Sequence, residues 1–349
     1  MACSEQRFST GFALPAVLAV TGVVTIVFLV AITALSSLQA EAGSARSRVR
    51  FLQRAMTAEA TLAYMVSTEP FRTNAVLTGA PRNANDIAGP SIADPVVSGL
   101  PTAEVRLDGR PYLMDLQGPL TVSVQDASGL INLARTAEPV HRRLAARLGL
   151  PPATAQTAYP LYLDYIDPDD LRTLNGAERR DYGVGGGPAD RPMLRPSEWL
   201  ALKGVRDGVD PRHWNAVRSA VVIEPAMIAF NVNTAPAAAL EVMFDIGPAQ
   251  AQAAVRRRET TPFQSLEEFL QTVGSTYVDD PERLYVFPGG RIVYEIRDGR
   301  SAWTWRGMIV LTPGGLVQPL WIKQTELMEA PRRAAADTTN ATRFPYAPH

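Results

Sequence analysis

The sequence predicts an α+β fold: a long N-terminal helix packed on an antiparallel sheet, with a large all-helical domain inserted between the strands. Three observations lead there. An uncharged apolar stretch, Phe8 to Ala40, runs on into a pattern of helical period. Two groups of alternating segments, around residues 103–125 and 291–324, have the period of strands, and what separates them is helical in pattern. Neither group has enough strands to stand alone, so one interrupted sheet is the simplest architecture.

Within the first stretch, Phe12 to Leu38 is dominated by Ala, Val, Leu, Ile and Phe. A helix over it would be ~40 Å long at ~1.5 Å per residue, enough for a hydrocarbon core of ~30 Å. Its front end is polar, with Arg7 the one basic residue, and closes on Gly11-Phe12-Ala13-Leu14. A secretory signal peptide places its small-residue junction after the apolar core, whereas here the junction stands before it. An uncleaved signal anchor would need no junction at all.

Gly11-Phe12 resembles the junction of a prepilin leader. That resemblance implies processing by prepilin peptidase between Gly11 and Phe12, with the apolar helix retained. The fifth residue of such a mature chain is normally Glu, thought to neutralise a neighbouring subunit's terminal amine. Here it is Ala16. An unpaired ammonium is costly to bury, so this subunit is expected to repeat poorly and to suit the end of a filament.

The chain has 349 residues and a formal net charge of -1, which provides no overall field for nucleic acid or acidic lipid. Its single cysteine, Cys3, falls in the expected leader, so the mature protein would work in an oxidising compartment without disulfides. Arg46, Arg48, Arg50 and Arg54 outnumber Arg7 across the apolar span. Taken alone, they would put the C-terminal bulk in the cytoplasm. The prepilin resemblance implies the reverse: a single-pass bacterial inner-membrane protein with its C-terminal domain in the periplasm.

Beyond Leu38, Val49, Leu52, Met56, Ala60, Ala63 and Val66 recur at three- and four-residue steps, with Arg46, Arg50, Arg54 and Glu59 elsewhere on the wheel. One helix from about Leu14 to Ser67 is expected, Pro15 being tolerated in its first turn. Glu69 to Pro101, rich in Pro, Gly, Asn, Asp and Ser, reads as loop. Ala103 to Leu107 and Arg110 to Leu116 flank Asp108-Gly109, a hairpin signal, and Leu120 to Gln125 gives a third strand. Helical segments follow near Val140–Leu148, Ala153–Ile166, Pro196–Leu202, Pro211–Ala216, Pro236–Phe244, Pro248–Glu259 and Ser265–Val273. Strands return at Arg291–Arg297, Ala302–Leu311 and Leu316–Gln324, with Trp303, Trp305 and Trp321 expected to pack that sheet. The polar, Pro-rich segment from Arg332 reads as a disordered tail. The expected divisions are a leader at 1–11, the helix at 12–67, sheet at 68–134, the helical insertion at 135–278, returning strands at 279–330 and a tail at 331–349.

Three stretches carry a more specific resemblance. Val124-Gln125-Asp126-Ala127-Ser128-Gly129-Leu130-Ile131-Asn132-Leu133 is a turn ending in a hydrophobic-Asn-hydrophobic step. Asp164-Tyr165-Ile166-Asp167-Pro168-Asp169-Asp170, with Asn175-Gly176-Ala177-Glu178 and Tyr182, is an acidic segment. Phe230-Asn231-Val232-Asn233-Thr234-Ala235-Pro236 leads into a helical pair. In this order, behind a membrane helix, they resemble minor pseudopilin K of the type II (general) secretion pathway from Gly11 to about Gln324. The resemblance implies a pilin-like fold at the tip of a short pseudopilus. It also implies as partners the minor pseudopilins I and J, the major pseudopilin, prepilin peptidase and the inner-membrane secretion platform.

Asp167, Asp169, Asp170, Glu178 and Asp181 are hard oxygen donors at short separations, which suit calcium better than a transition metal. Their spacing is not that of an EF-hand, and helix-capping, solvated carboxylates are the competing reading. The family resemblance implies structural calcium in the helical domain. Asp245-Ile246-Gly247-Pro248, followed by Arg256-Arg257-Arg258, resembles a helix-hairpin-helix, and a membrane-anchored DNA-binding protein is the rival function. Its single Gly and its Asp245 argue for packing instead. The three histidines, His141, His213 and His349, form no H-E-x-x-H pair, and no G-x-S-x-G or phosphate loop occurs. Gly183-Val184-Gly185-Gly186-Gly187 reads as a flexible loop. No catalytic constellation is found, and the chain is expected not to be an enzyme.

Overall fold

A computed structural model describes residues 13–78, 103–183, 186–275, 284–299, 301, 303–312, 318–329 and 341–346. Gly11 and Phe12, the expected processing site, lie outside them, as do Val184 and Gly185 of the glycine-rich stretch. The chain divides into two compact units, residues 1–54 and 55–349.

Helix α1, Ala13–Thr68, is the long helix that the apolar stretch predicts. It is long and apolar enough to cross a membrane, and its large side chains from Leu14 to Leu38 are exposed. In the second unit its C-terminal end buries Ala55, Ala58, Leu62, Met65 and Val66. The buried stripe is rotated from the one expected, for Val49 and Met56 are exposed. Alanines at 55 and 58 allow close backbone approach, which a reading weighted toward large side chains overlooks. Glu59, expected in solvent, accepts hydrogen bonds from the Tyr294 hydroxyl and, at 2.7 Å, from Trp305 Nε1. Burial and that carboxylate both push the Tyr294 phenol up. A side chain at Gly307 would collide with the Tyr294 hydroxyl, so glycine there makes room for the contact.

Strand β1, Ala75–Thr78, lies in what reads as loop. It pairs antiparallel with β2, Ala103–Arg106, from Ala75↔Arg106 to Thr78↔Ala103. The hairpin expected at Asp108-Gly109 is therefore overturned: β3, Asp108–Asp115, pairs not with β2 but with β4, Pro119–Asp126. Fully buried Leu107 anchors the crossing, donating its amide to the Asn74 carbonyl and accepting from the Asp126 amide, both at 2.9 Å. The Asp108 carboxylate grips Arg110, and its carboxyl is held below the usual range by that guanidinium against the opposing effect of burial.

After a 3-10 turn at Ala127–Gly129 comes the short strand β5, Ile131–Asn132. Then follow α2, Glu138–Arg147; α3, Pro152–Ile166; α4, Pro211–Val217; β6, Val221–Val222; and β7, Phe230–Asn231. Helices α5, Ala237–Phe244, α6, Pro248–Thr260, and α7, Leu266–Val273, lead to β8, Leu284–Tyr285. The segment at Pro196–Ala201 is 3-10 rather than α. Two short parallel pairings, β5 with β6 and β7 with β8, join the helices. One apolar core runs from Ile131 to Val273, around Trp199 and four phenylalanines. Phe230 meets Phe244 at 5.8 Å between ring centroids, Phe244 meets Phe269 at 4.7 Å, and Phe269 meets Phe263 at 5.2 Å. Each such ring contributes ~2–3 kcal/mol by burial.

The returning strands are β9, Arg291–Arg297; β10, Trp303–Leu311; and β11, Leu320–Glu329. β12, Thr342–Arg343, is the last. The six-stranded sheet runs β11-β10-β9-β4-β3-β12, and β4 and β9 pair antiparallel from Thr121↔Arg297 to Asp126↔Ile292. Strands from both sides of the insertion thus share one sheet. Part of the expected tail is ordered: Thr342–Arg343 pairs parallel with β3, and Phe344 is buried, edge-on to Tyr112 at 5.8 Å. An aromatic with an uncovered sheet edge within reach outweighed the polar composition around it. Trp321 is exposed rather than packed.

Candidate metal centre and the buried polar node

Two of the stretches singled out in the sequence meet at Asp126. This carboxylate is fully buried at the end of β4 and caps the turn that follows. Oδ2 accepts from Ser128 Oγ at 2.5 Å, Thr234 Oγ1 at 2.9 Å and Asn231 Nδ2 at 3.1 Å; Oδ1 accepts from the Ser128 and Gly289 amides at 3.1 and 3.2 Å. Burial pushes the carboxyl up while the five donors pull it down, and burial prevails. Asn132 and Asn233 extend the node. Asn132 donates to the Glu224 and Met227 carbonyls, and Asn233 to those of Phe263 and Val286. These asparagines satisfy backbone groups where helix and sheet segments meet, a structural use of side-chain amides.

The acidic segment is built differently. Asp164 lies in the last turn of α3, fully buried, and Asp167 caps that helix, its amide bonded to the Leu163 carbonyl at 3.1 Å. The chain returns through Thr173, whose amide donates to Asp164 Oδ1 at 3.1 Å, to Glu178, which is 1% exposed. Gly176 passes so close that a Cβ there would collide with the Asp164 carboxylate and the Thr173 hydroxyl. Ligand oxygens of Asp164, Asp167 and Glu178 lie within 4.8 Å of one another.

Of the five carboxylates the sequence suggests, Asp167 and Glu178 are in this group, and Asp164 joins them. Asp169 instead accepts from the Leu171 amide at 2.8 Å, Asp181 accepts from the Glu178 amide at 3.0 Å and pairs with Arg172 at 3.5 Å, and Asp170 is exposed. Asp164 was legible as a partner of Asp167, because a three-residue step places both on one side of a helical turn.

Both Glu178 oxygens, Asp167 Oδ1 and Thr173 Oγ1 are buried without a hydrogen-bond partner. Burial, then the neighbouring carboxylates, raise both Asp167 and Glu178. Three carboxylates and a hydroxyl, all hard oxygens, fit a divalent cation of the calcium type. Such an ion would offset the mutual repulsion and occupy the idle lone pairs.

At the expected helix-hairpin-helix, Asp245 takes a left-handed conformation, φ 53°, between α5 and α6. Arg258 is 3% exposed and donates to the Val232 carbonyl at 2.7 Å, while Arg257 pairs with Glu268 and stacks 4.4 Å from the Phe263 ring centroid. Two of the three arginines thus hold the core together, and only Arg256 is exposed. The hairpin is packing, and the DNA-binding reading is not favoured.

Residues 230–285, from Phe230 of the polar node through α7, match the family model for type II secretion system (T2SS), protein K. Type II secretion system protein K of Pseudomonas aeruginosa is 31% identical over 173 residues, 46% of this chain and 50% of that protein. The match therefore spans about half the length of that curated relative. In fold, the chain is similar to a chain of the GspK-GspI-GspJ complex from the enterotoxigenic Escherichia coli type 2 secretion system, with a TM-score of 0.52 and 19% identity. That likeness covers 82% of this chain and 99% of the other. Sequence motifs, family match and fold agree, and the family they identify for this chain is protein K of the type II secretion system.

Proposed function

We propose that this chain is a minor pseudopilin at the tip of a type II secretion pseudopilus, acting by shape and assembly rather than catalysis in protein export across the outer membrane. The observation that carries the reading is the β4–β9 pairing, which sets a broad helical insertion into a sheet behind a membrane-length helix. A head of that build would block addition of a further subunit above it, and Ala16 removes the carboxylate that a repeating subunit uses.

On this reading α1 anchors the protein in the inner membrane with its C-terminal domain in the periplasm. Prepilin peptidase cuts between Gly11 and Phe12, the secretion platform extracts the helix, and it packs beside the minor pseudopilins I and J above the major pseudopilin. Calcium, held by Asp164, Asp167 and Glu178 with Thr173, fixes the loop after α3 as a structural ion. Co-expression with prepilin peptidase should yield a mature chain beginning at Phe12, and this chain should co-purify with I and J. An intact methionine-initiated chain in the assembled machine, or this protein repeated along the shaft, would defeat the reading. Chelation should lower the melting temperature, and an unchanged melting curve would remove the metal from it.

A further inference from the structure

The six-stranded sheet treats its two edges differently. β12 covers β3, and the Phe344 amide adds a 2.7 Å bond to the Leu113 carbonyl. At the other edge β11 has β10 on one side and, among the described residues, no strand on the other. β11 is ten residues long, contains no Pro, and exposes Trp321 and Ile322 by 45% and 40%. Such an edge is a template for strand pairing.

The sequence of β11 is self-complementary about its bulge. Met308↔Lys323 and Arg306↔Glu326 leave Gln324 and Thr325 together opposite Gly307. Gln324 is left-handed, φ 53°, and its side-chain amide is tied to the Ile223 carbonyl at 2.9 Å. The extra residue brings the two halves of the strand into step. Ile322 and Leu327 oppose Ile309 and Trp305, four apart on β10, so they share one face and one hydrogen-bonding direction. Trp321 and Met328, opposite Val310 and Thr304, share the other face, and so do Lys323 and Glu326.

A two-fold axis through the bulge, normal to the sheet, then sets Lys323 of one copy against Glu326 of the other, Ile322 against Leu327, and Trp321 against Met328. Every pair agrees in face, two are apolar, and the charged pair is of opposite sign. Lys323 has no carboxylate partner among the described residues. We propose that β11 pairs antiparallel with β11 of a second copy of this chain, joining the two sheets into one. The contact is isologous and closes on itself, giving a pair and not a fibre.

The test uses the full chain in detergent with Cys3→Ser, followed by sedimentation. The protein should be dimeric, K323E and E326K should each weaken the dimer by roughly fivefold or more, and the double reversal should restore it. Thr325→Cys, beside the axis, should give a disulfide-linked dimer on mild oxidation, while Arg256→Cys on α6 should not. A wild-type monomer at the highest concentration reached, a dimer indifferent to either reversal, or crosslinking at Arg256→Cys alone would overturn the proposal.

Discussion

Asp126 and Glu178 are both carboxylates withdrawn from water, and their surroundings are opposites. Five donors from the chain converge on Asp126. Around Glu178 there are two further carboxylates and a hydroxyl, and neither of its oxygens has a hydrogen bond. Burial alone therefore does not mark a ligand. What distinguishes the second site is burial without donors, the condition a cation relieves and a protein rarely leaves unanswered.

Removing Asp126 should have the largest effect. Asp126→Ala strands the Ser128, Thr234 and Asn231 side chains and the Gly289 amide, and should cost about 3–5 kcal/mol in denaturant unfolding, with or without calcium. A loss that calcium largely repairs would erase the contrast between the two sites. Gly176→Ala comes next, since its methyl group enters the space held by Asp164 and Thr173. It should cost roughly 2–3 kcal/mol, and calcium should no longer raise the melting temperature.

His141 extends the contrast to a neutral buried group. It is fully buried, its Nδ1 accepts from Trp199 Nε1 at 3.3 Å, and burial drives its pKa down to about 3, against a small opposing pull from the Leu133 backbone. The unfolded chain binds a proton near pH 6.5 that the folded chain refuses. Stability from this group is complete above pH 6.5 and is lost as pH falls toward about 3, at ~1.4 kcal/mol per unit, or about 2 kcal/mol by pH 5. His141→Asn, which keeps an acceptor for Trp199, should flatten that slope in pH-dependent unfolding. The smallest effect is expected from Glu178→Gln. It should stabilise the metal-free protein by about 1 kcal/mol through lost repulsion while weakening calcium binding at least tenfold by isothermal titration. A weaker metal-free protein would mean that Glu178 has a donor after all.

Regular elements were legible where their period is long. α1 and the helices around Trp199 follow from apolar spacing, and β4, β9 and β10 from alternation. Elements fixed by distant partners were not. β1 is four residues held by β2, β12 is two residues held by β3, and the Asp108-Gly109 turn lost its hairpin because Leu107 found Asn74. At the acidic site, Asp167 and Glu178 could be named from composition. Asp169 and Asp181 could not be told from them, because turn-capping and ligation draw on the same residue type. Trp321 shows the same limit on the sheet, since being in a strand did not tell whether another layer lies over it.

The β4–β9 ladder also constrains the order in which the chain can fold. Asp126 must find Ile292, so the central seam of the sheet cannot zip until nearly the whole polypeptide has left the ribosome and crossed into its compartment. High contact order of this kind makes the late step slow. The core between Ile131 and Val273, rich in nearby contacts, is positioned to collapse first. Until the last strands arrive, unpaired β4 remains a sticky intermediate, and tethering by an apolar helix would keep that intermediate apart from its siblings.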